Sequence, residues 1–214
     1  MGDPSQGKAA PRRRRPRQER SQALVDAILD ATAELLARDG PARTTTNRVA
    51  ERAGVSVGSI YQYFPDKQAL FAALGERYVG ELRGALDAVW PRVADATVDR
   101  IVAELLGALV AVSQRDAALS GMLHLTAIPA RVFEPIDAFE RDLEARAAEL
   151  LTRHAARLAS PPPDPALTAR LLVRALGGLV GRTLASEPAL IREPRFFAEL
   201  IRLVRGSLGP LAQT

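Results

Sequence analysis

The stretch that indicates the fold most clearly is residues 44–67, with the sequence TTTNRVAERAGVSVGSIYQYFPDK. Thr45 is a suitable N-cap for a short helix, because its hydroxyl can accept a hydrogen bond from an amide of the first turn. Gly54 can leave that helix in the left-handed conformation, and Ser56 can cap a second helix whose Ile60 faces the core. The segment therefore predicts two short helices around a tight turn. In a helix-turn-helix of this kind, the second helix enters the major groove of DNA.

Apolar residues recur with helical spacing on both sides of this motif. Those from Leu24 to Leu35 share one face, and Gly40 followed by Pro41 is expected to end that helix. A second long helix is expected over Asp66–Val89, with Pro91 as its stop signal. Alternating strand patterns and hairpin turns are missing, so the sequence predicts an all-α fold. Further helices are expected at about 97–114, 116–128, 133–158, 166–186 and 194–208.

Composition excludes several classes of function. The 214 residues are 47% hydrophobic and 25% charged, which is typical of a globular chain of one or two domains. There is no cysteine, and the two histidines lie thirty positions apart, so neither a thiolate site nor a paired-histidine metal site is expected. No phosphate-binding glycine loop is present, and we expect no cofactor. Gly54–Gly58 matches the Gly-x-Ser-x-Gly pattern of serine hydrolases, but a helix and not a strand precedes it. We expect no enzymatic activity.

The charge is concentrated near the N-terminus. Residues 1–20 contain seven basic residues against two acidic ones, whereas the whole chain has a formal net charge of +4. Such a basic segment indicates a polyanionic partner, nucleic acid before membrane, although a solubilising tail is the alternative. The apolar stretch Ile101–Val112 is too short to span a bilayer, and Ala166–Ala185 contains three arginines. We expect a cytoplasmic, nucleoid-associated protein without a membrane partner.

A longer motif, VAxxAGVSxGSIYxYFPxKxxL, extends from Val49 to Leu70. It closely resembles the N-terminal DNA-binding domain of tetracycline-repressor (TetR) family regulators, and the resemblance covers Leu24 to Leu74. It implies a homodimeric transcriptional regulator, expected to be a repressor, that binds a pseudo-palindromic double-stranded DNA operator and releases it on binding a small effector. The implied organisation is a disordered basic arm (1–20), a helix-turn-helix domain (21–74) and a helical effector-binding and dimerisation domain (75–214).

The resemblance also implies DNA-contacting residues. The threonines, the tyrosines and the lysine are expected to contact phosphates. The residues from Ser56 to Ser59 are expected to form the head of the recognition helix in the groove, and Gln62 is expected to face base edges or the DNA backbone. Gln62 could pair with adenine, and the Val57 methyls suit a thymine methyl. The alternative for the two tyrosines is a half-buried aromatic ring. The full set is Thr45, Thr46, Ser56, Val57, Gly58, Ser59, Tyr61, Gln62, Tyr63 and Lys67, with Arg12, Arg13, Arg14 and Arg15 reaching a minor groove or phosphates.

An effector pocket is expected among apolar residues of the C-terminal half. His124 is the one polar candidate, although a core histidine is the alternative, as plain core is for each apolar residue. Such a site suits a lipophilic molecule with one or two polar groups, and not a phosphate ester. The candidates are Tyr78, Leu82, Leu86, Trp90, Leu105, Leu109, Met122, His124 and Phe133.

The end of the chain is expected to form the dimer interface. Gly177 and Gly181 lie one turn apart and would allow another helix to approach closely, and the last helix is apolar on more than one face. The resemblance implies a four-helix bundle built from the last two helices of each subunit, and an intramolecular core is the alternative. The expected interface residues are Gly177, Gly181, Phe197, Leu200, Ile201 and Val204.

Two other functions stay open at this stage. One is an effector-independent DNA-binding dimer controlled by a protein partner. The other is a helical small-molecule carrier, in which exposed phosphate-binding groups would have no role.

Overall fold

The structure is a computed structural model that describes residues 15–93, 95–115, 134–158 and 160–208. These residues form eight α-helices, two short 3-10 helices (Ala155–Arg157 and Leu190–Arg192) and no β-strand, which confirms the all-α prediction. The predicted helix at 116–128 lies outside the described residues. The α-helices are α1 (Arg15–Arg43), α2 (Thr46–Ala53), α3 (Val57–Tyr61), α4 (Lys67–Val93), α5 (Val98–Arg115), α6 (Glu134–Arg153), α7 (Pro165–Ser186) and α8 (Pro194–Leu208).

The helix-turn-helix ends are set by the predicted local signals. Thr45 has extended backbone angles, and its hydroxyl accepts a hydrogen bond from the Arg48 amide. Gly54 leaves α2 with φ 67° and ψ 32°, a conformation that favours glycine. Ser56 caps α3 by accepting from the Ser59 amide at 3.0 Å. These caps satisfy backbone donors that would otherwise lack partners at the helix ends.

Helix α1 is interrupted at Gly40, as the sequence predicts. Gly40 has φ 74° and ψ 173°, so the regular helix ends there, and a short turn containing Pro41 completes the element. The buried Thr44 hydroxyl donates to the Gly40 carbonyl at 2.9 Å and holds this turn closed. The break directs the chain from α1 into α2.

The start of α1 corrects the expected arm. The helix begins at Arg15, so residues 15–20 belong to its first turns and not to a disordered arm. Pro16 is tolerated there because the first-turn amides have no partner within a helix. The arginines, glutamines and glutamate that follow are good helix formers.

The end of α4 corrects a second prediction. The helix continues through Pro91 to Val93. A proline near the last turn removes only one backbone hydrogen bond. In return, Val93 is fully buried with Val89, Ile101 and Leu150.

The core runs without a break across the expected domain boundary at 74–75, which falls inside α4. One cluster of buried side chains contains Ile28 of α1, Leu70 and Leu86 of α4, and Phe139 of α6. Helix α4 thus contributes buried side chains to both halves and joins them.

Candidate DNA-binding surface and effector cavity

Burial of one side of α3 leaves its other side exposed. Ile60 and Phe64 are buried in the core, and Ile60 has no accessible surface. The residues between them therefore project outward: Tyr61 is 52% exposed, Tyr63 is 37% exposed, and Gln62 is exposed as well. Both tyrosines thus lie at the surface, where the DNA-contact hypothesis requires them.

Each tyrosine hydroxyl lies next to a second hydroxyl. Tyr61 OH is 3.4 Å from Thr46 Oγ1 at the start of α2. Tyr63 OH is 2.9 Å from Ser21 Oγ in α1. Ser21 was not among the predicted residues, because nothing in its local sequence shows that α1 passes beside α3. The two hydroxyl pairs offer donors suited to phosphate oxygens.

The head of α3 is partly occupied by its own contacts. Ser56 Oγ lies 2.7 Å from Ser59 Oγ, so the two serine hydroxyls bond to each other. Val57 is half-buried against the core, which reduces the methyl surface available to a thymine. A Cβ added at exposed Gly58 would have only Ser56 Oγ nearby, at 3.7 Å. The protein's own packing therefore does not require glycine there.

Lys67 has a partner within the protein. Its Nζ donates to the Pro41 carbonyl at 2.9 Å and lies 5.5 Å from the centroid of the Phe71 ring. This contact ties the start of α4 to the turn that completes α1. Lys67 therefore positions the helix-turn-helix, in addition to the phosphate contact that the resemblance implies.

Ion pairs hold α2 against α1. Asp39 accepts from the Arg38 guanidinium (2.9 Å) and from Arg48 (2.6 Å). These hydrogen bonds, with Arg38 as the largest cause and burial opposing them, lower the pKa of Asp39 from 3.8 to about 2. Arg52 binds Glu34 through two hydrogen bonds of 2.7 Å, which lowers the pKa of that carboxyl. Both arginines of α2 thus have partners in α1.

An apolar cavity of about 220 Å³ lies between α4, α5, α6, α7 and α8. Of the predicted pocket residues, Tyr78, Leu82, Leu105 and Leu109 line it. Leu86 and Trp90 are not among the residues that line it. Leu86 is buried in the core, and the Trp90 ring centroid lies 5.5 Å from the Arg146 guanidinium. Met122, His124 and Phe133 lie outside the described residues.

Of the polar side chains in the cavity wall, sequence reasoning named Tyr78 and missed Ser113, Glu140 and His154. Tyr78 OH is 2.9 Å from Ser113 Oγ, both in the cavity wall. Glu140 and the buried His154 also line the wall, and the Arg157 guanidinium lies 3.2 Å from His154 Nδ1. His154 is one of only two histidines in the sequence, but it lies far along the chain from the other candidate pocket residues, so the sequence does not indicate that it reaches the cavity.

Most of the residues expected at the dimer interface pack within their own chain. Gly181, Leu200 and Val204 are buried, the two side chains among apolar residues of α5 and α6. Phe197 and Ile201 are half-buried against the same cluster, and Gly177 faces Glu140 at the cavity. Burial within one chain leaves Gly181, Leu200 and Val204 little surface for a partner, which favours the alternative of an intramolecular core at these three positions.

Different residues of α7 and α8 are exposed. Leu171 is 60% exposed and Leu203 is 51% exposed, and Leu167 and Leu179 are exposed as well. These four leucines are called the exposed leucine face below. The apolar character read from the sequence is real, and other residues of both helices carry the part of it that is exposed.

None of the described helices combines the length and apolar character needed to cross a membrane. Within the same residues, no three acidic or histidine side chains come together as a metal site.

Comparison with known proteins agrees with this geometry. Residues 28–74 match the model of bacterial regulatory proteins of the tetR family, and residues 97–208, just over half of the chain, match the tetracyclin repressor-like C-terminal domain. The nucleoid occlusion factor SlmA of Actinobacillus pleuropneumoniae serotype 5b is 40% identical over 70 residues, 33% of each chain. The regulator AcrR of Shigella flexneri is 30% identical over 114 residues, 52% of this chain and 53% of AcrR.

Solved structures share the fold at low sequence identity. A regulatory protein of the tetR family from Rhodococcus RHA1 aligns with a TM-score of 0.71 at 18% identity, covering 89% of this chain and 98% of that one. A complex of SmeT with triclosan aligns with a TM-score of 0.60 at 22% identity, covering 90% and 97%. The chain spans only a third to a half of the two curated relatives above, whereas the family models together match both of its halves. This chain therefore belongs to the tetR family of bacterial regulatory proteins, and it is a DNA-binding regulator of transcription and not an enzyme.

Proposed function

We propose that the protein is a homodimeric repressor that binds a pseudo-palindromic operator and releases it when a small, mostly apolar effector enters the cavity. The observation that carries the proposal is the position of α4. This helix begins beside the DNA-binding surface at Lys67, and its Tyr78 lines the cavity. An effector that prefers one position of α4 would shift the population between a DNA-binding and a released state.

The DNA side of the proposal rests on the exposed end of α3. Gln62 is the candidate for base contact, and the two hydroxyl pairs are candidates for phosphate contact. Arg12–Arg15 would add charge-dependent contacts. On this proposal the protein acts in the cytoplasm, at the nucleoid.

The dimer is proposed to form through the exposed leucine face. A two-fold axis brings the same patch of both subunits together, so a patch on α7 and α8 of one subunit would meet itself. Gly178 and Gly206 have no atom within 4 Å of the place a Cβ would take, which leaves room for another helix to pack closely. Burying Leu171 and Leu203 in both subunits would remove four half-exposed leucines from water.

The test is a gel shift with DNA from upstream of the protein's own gene, combined with sedimentation of the free protein. We expect a dimer at micromolar concentration and a salt-sensitive complex that unrelated DNA does not displace. The matched variant is Gln62→Ala, which should keep non-specific binding and lose preference for the site. A monomer, or equal binding to all DNA, would contradict the proposal.

A second candidate is a DNA-binding dimer controlled by a protein partner and not by an effector. It is favoured by the match to SlmA, a protein named as a nucleoid occlusion factor, although that match covers only 33% of the chain. The number and position of binding sites across the chromosome distinguish this role from the repressor. Many dispersed sites would favour this second role, and one or a few upstream sites would favour the repressor. A helical carrier would bind ligand and no DNA.

A further inference from the structure

Helix α1 begins well ahead of the stretch that matches the tetR family. Its first residue is Arg15, whereas the family match begins at Ile28, so thirteen residues of the helix precede the shared pattern. Ile28 is fully buried, Leu24 is half-buried against the core, and residues 18–20 are exposed. The helix therefore runs out of the core towards its N-terminal end, and core packing alone does not account for its first turns.

Ser21 joins this extension to the DNA-binding surface. Its Oγ lies 2.9 Å from Tyr63 OH, although the two residues are 42 positions apart in the chain. Ser21 is half-buried, and Tyr63 is 37% exposed and directly follows the exposed Gln62. The other tyrosine pair, Tyr61 OH and Thr46 Oγ1, is longer at 3.4 Å. The Ser21 pair is thus the shorter of the two, and it fixes the turn after α3 against α1.

The residues ahead of Ser21 carry the charge that a nucleic-acid backbone attracts. Residues 15–20 have the sequence RPRQER, with three arginines and one glutamate. Arg17 lies one helical turn before Ser21, a spacing that places both positions on one face of a helix. A positively charged stretch next to a hydroxyl pair fits the backbone phosphates of DNA, which accept most of the hydrogen bonds that position a protein on a duplex.

The two hydroxyls of the pair can donate one hydrogen outward. Each hydroxyl carries a single hydrogen, and one of the two hydrogens forms the bond within the pair. A phenol hydroxyl is more acidic than an aliphatic one, so it is the better donor to an anion. The favoured order is therefore Ser21 donating to Tyr63 and Tyr63 donating to a phosphate oxygen. Hydrogen bonds in such a chain polarise and strengthen one another.

We propose that Ser21 is a positioning residue of the DNA interface, which orients and polarises the Tyr63 hydroxyl for a backbone phosphate, and that the extended start of α1 is part of this interface. This deepens the proposed function, because it rests on the phosphate contact of Tyr63 and not on the effector or the operator sequence. A phosphate contact positions α3 on the duplex without reading bases, so Ser21 should matter equally on any DNA sequence.

Binding of the full chain to a short duplex of unrelated sequence, followed by fluorescence anisotropy, tests this role. Tyr63→Phe should weaken binding about tenfold, the loss of a hydrogen bond to a charged group. Ser21→Ala should weaken it about threefold, since Tyr63 keeps its hydroxyl but loses the partner that orients it. Ser21→Thr keeps a hydroxyl and should bind like the wild type. The matched control is Ser186→Ala, which removes an exposed serine hydroxyl bonded to the Arg182 carbonyl within α7 and should have no effect.

Combining the two changes distinguishes a positioning residue from an independent contact. Ser21→Ala should cause no further loss in the Tyr63→Phe background, because it acts through that hydroxyl. The slope of log K against log salt should stay at the wild-type value, since a hydroxyl releases no counterion. Thermal unfolding without DNA should stay within about 2 °C of the wild type, as for other surface changes.

Three results would overturn the proposal. One is wild-type DNA affinity in Ser21→Ala or in Tyr63→Phe. The second is a threefold loss from Ser21→Ala that persists in the Tyr63→Phe background. The third is a lower melting temperature of Ser21→Ala with unchanged DNA affinity, which would make the pair a packing contact alone.

The same variants on DNA from upstream of the protein's own gene separate this proposal from the proposed function. If no upstream site is preferred while Ser21→Ala weakens binding to the unrelated duplex, the positioning role stands and the repressor role fails. If an upstream site is preferred and Ser21→Ala changes the affinity for neither duplex, the positioning role is wrong and the repressor role stands.

Discussion

Replacing Lys67 with methionine tests whether this residue holds the helix-turn-helix in place. Lys67→Met keeps the aliphatic stem over Phe71 but removes the Nζ donor, and it leaves the half-buried Pro41 carbonyl without its partner. A hydrogen bond with a charged donor contributes about 1.5–3 kcal/mol. In a chain of this size, each kcal/mol corresponds to about 2–4 °C in melting temperature. We therefore expect unfolding about 3–12 °C lower than in the wild type.

The measurement is thermal unfolding followed by circular dichroism at neutral pH without DNA. The matched control is Gln62→Ala, which changes an exposed residue of the same surface and should stay within about 1 °C of the wild type. If Lys67→Met melted with the wild type while its DNA affinity became less dependent on salt, Lys67 would be a phosphate contact alone. The structural role argued from its bond to Pro41 would then be refuted.

Three further outcomes are expected. Removing residues 1–14 should weaken binding to any DNA and reduce the slope of log K against log salt by about 0.9 for each lost phosphate contact, and an unchanged slope would exclude the arm from the interface. Leu203→Glu together with Leu171→Glu should raise the dissociation constant of the dimer a hundredfold or more, as measured by sedimentation, since each buried leucine contributes about 1.5–3 kcal/mol. The control is Ala156→Glu, which changes an exposed residue of another element and should remain dimeric. The pKa of Asp39 is lower in the folded chain than in the unfolded chain, so the unfolded chain binds a proton at this carboxylate first as the pH falls. The ion pairs of Asp39 therefore stabilise the fold fully above about pH 4, and this stabilisation is lost as the pH falls from 3.8 towards 2. Asp39→Asn should lower the melting temperature at pH 6 and make no difference near pH 2, and a constant difference at both would contradict the assignment.

The all-α fold and the helix-turn-helix could be predicted from the sequence because their signals are local. Thr45 and Ser56 cap helices that begin at the next residue, and Gly54 ends α2 in the conformation that glycine favours. Gly40 breaks α1 for the same reason. In each case the donor, the acceptor or the backbone angle lies within a few residues, so no knowledge of distant packing is needed.

The cavity and the free surface of α7 and α8 were decided by tertiary packing. Leu200 and Leu203 are three residues apart on one helix and chemically identical, yet one is buried and the other is half-exposed. Periodicity shows that α8 has apolar residues on more than one side, but only its docking against α5 and α7 determines which side is covered. His154 likewise reaches the cavity because α6 lies along it. Such contacts join residues far apart in the chain, and their free energy depends on how whole helix faces fit together, which no single stretch of sequence specifies.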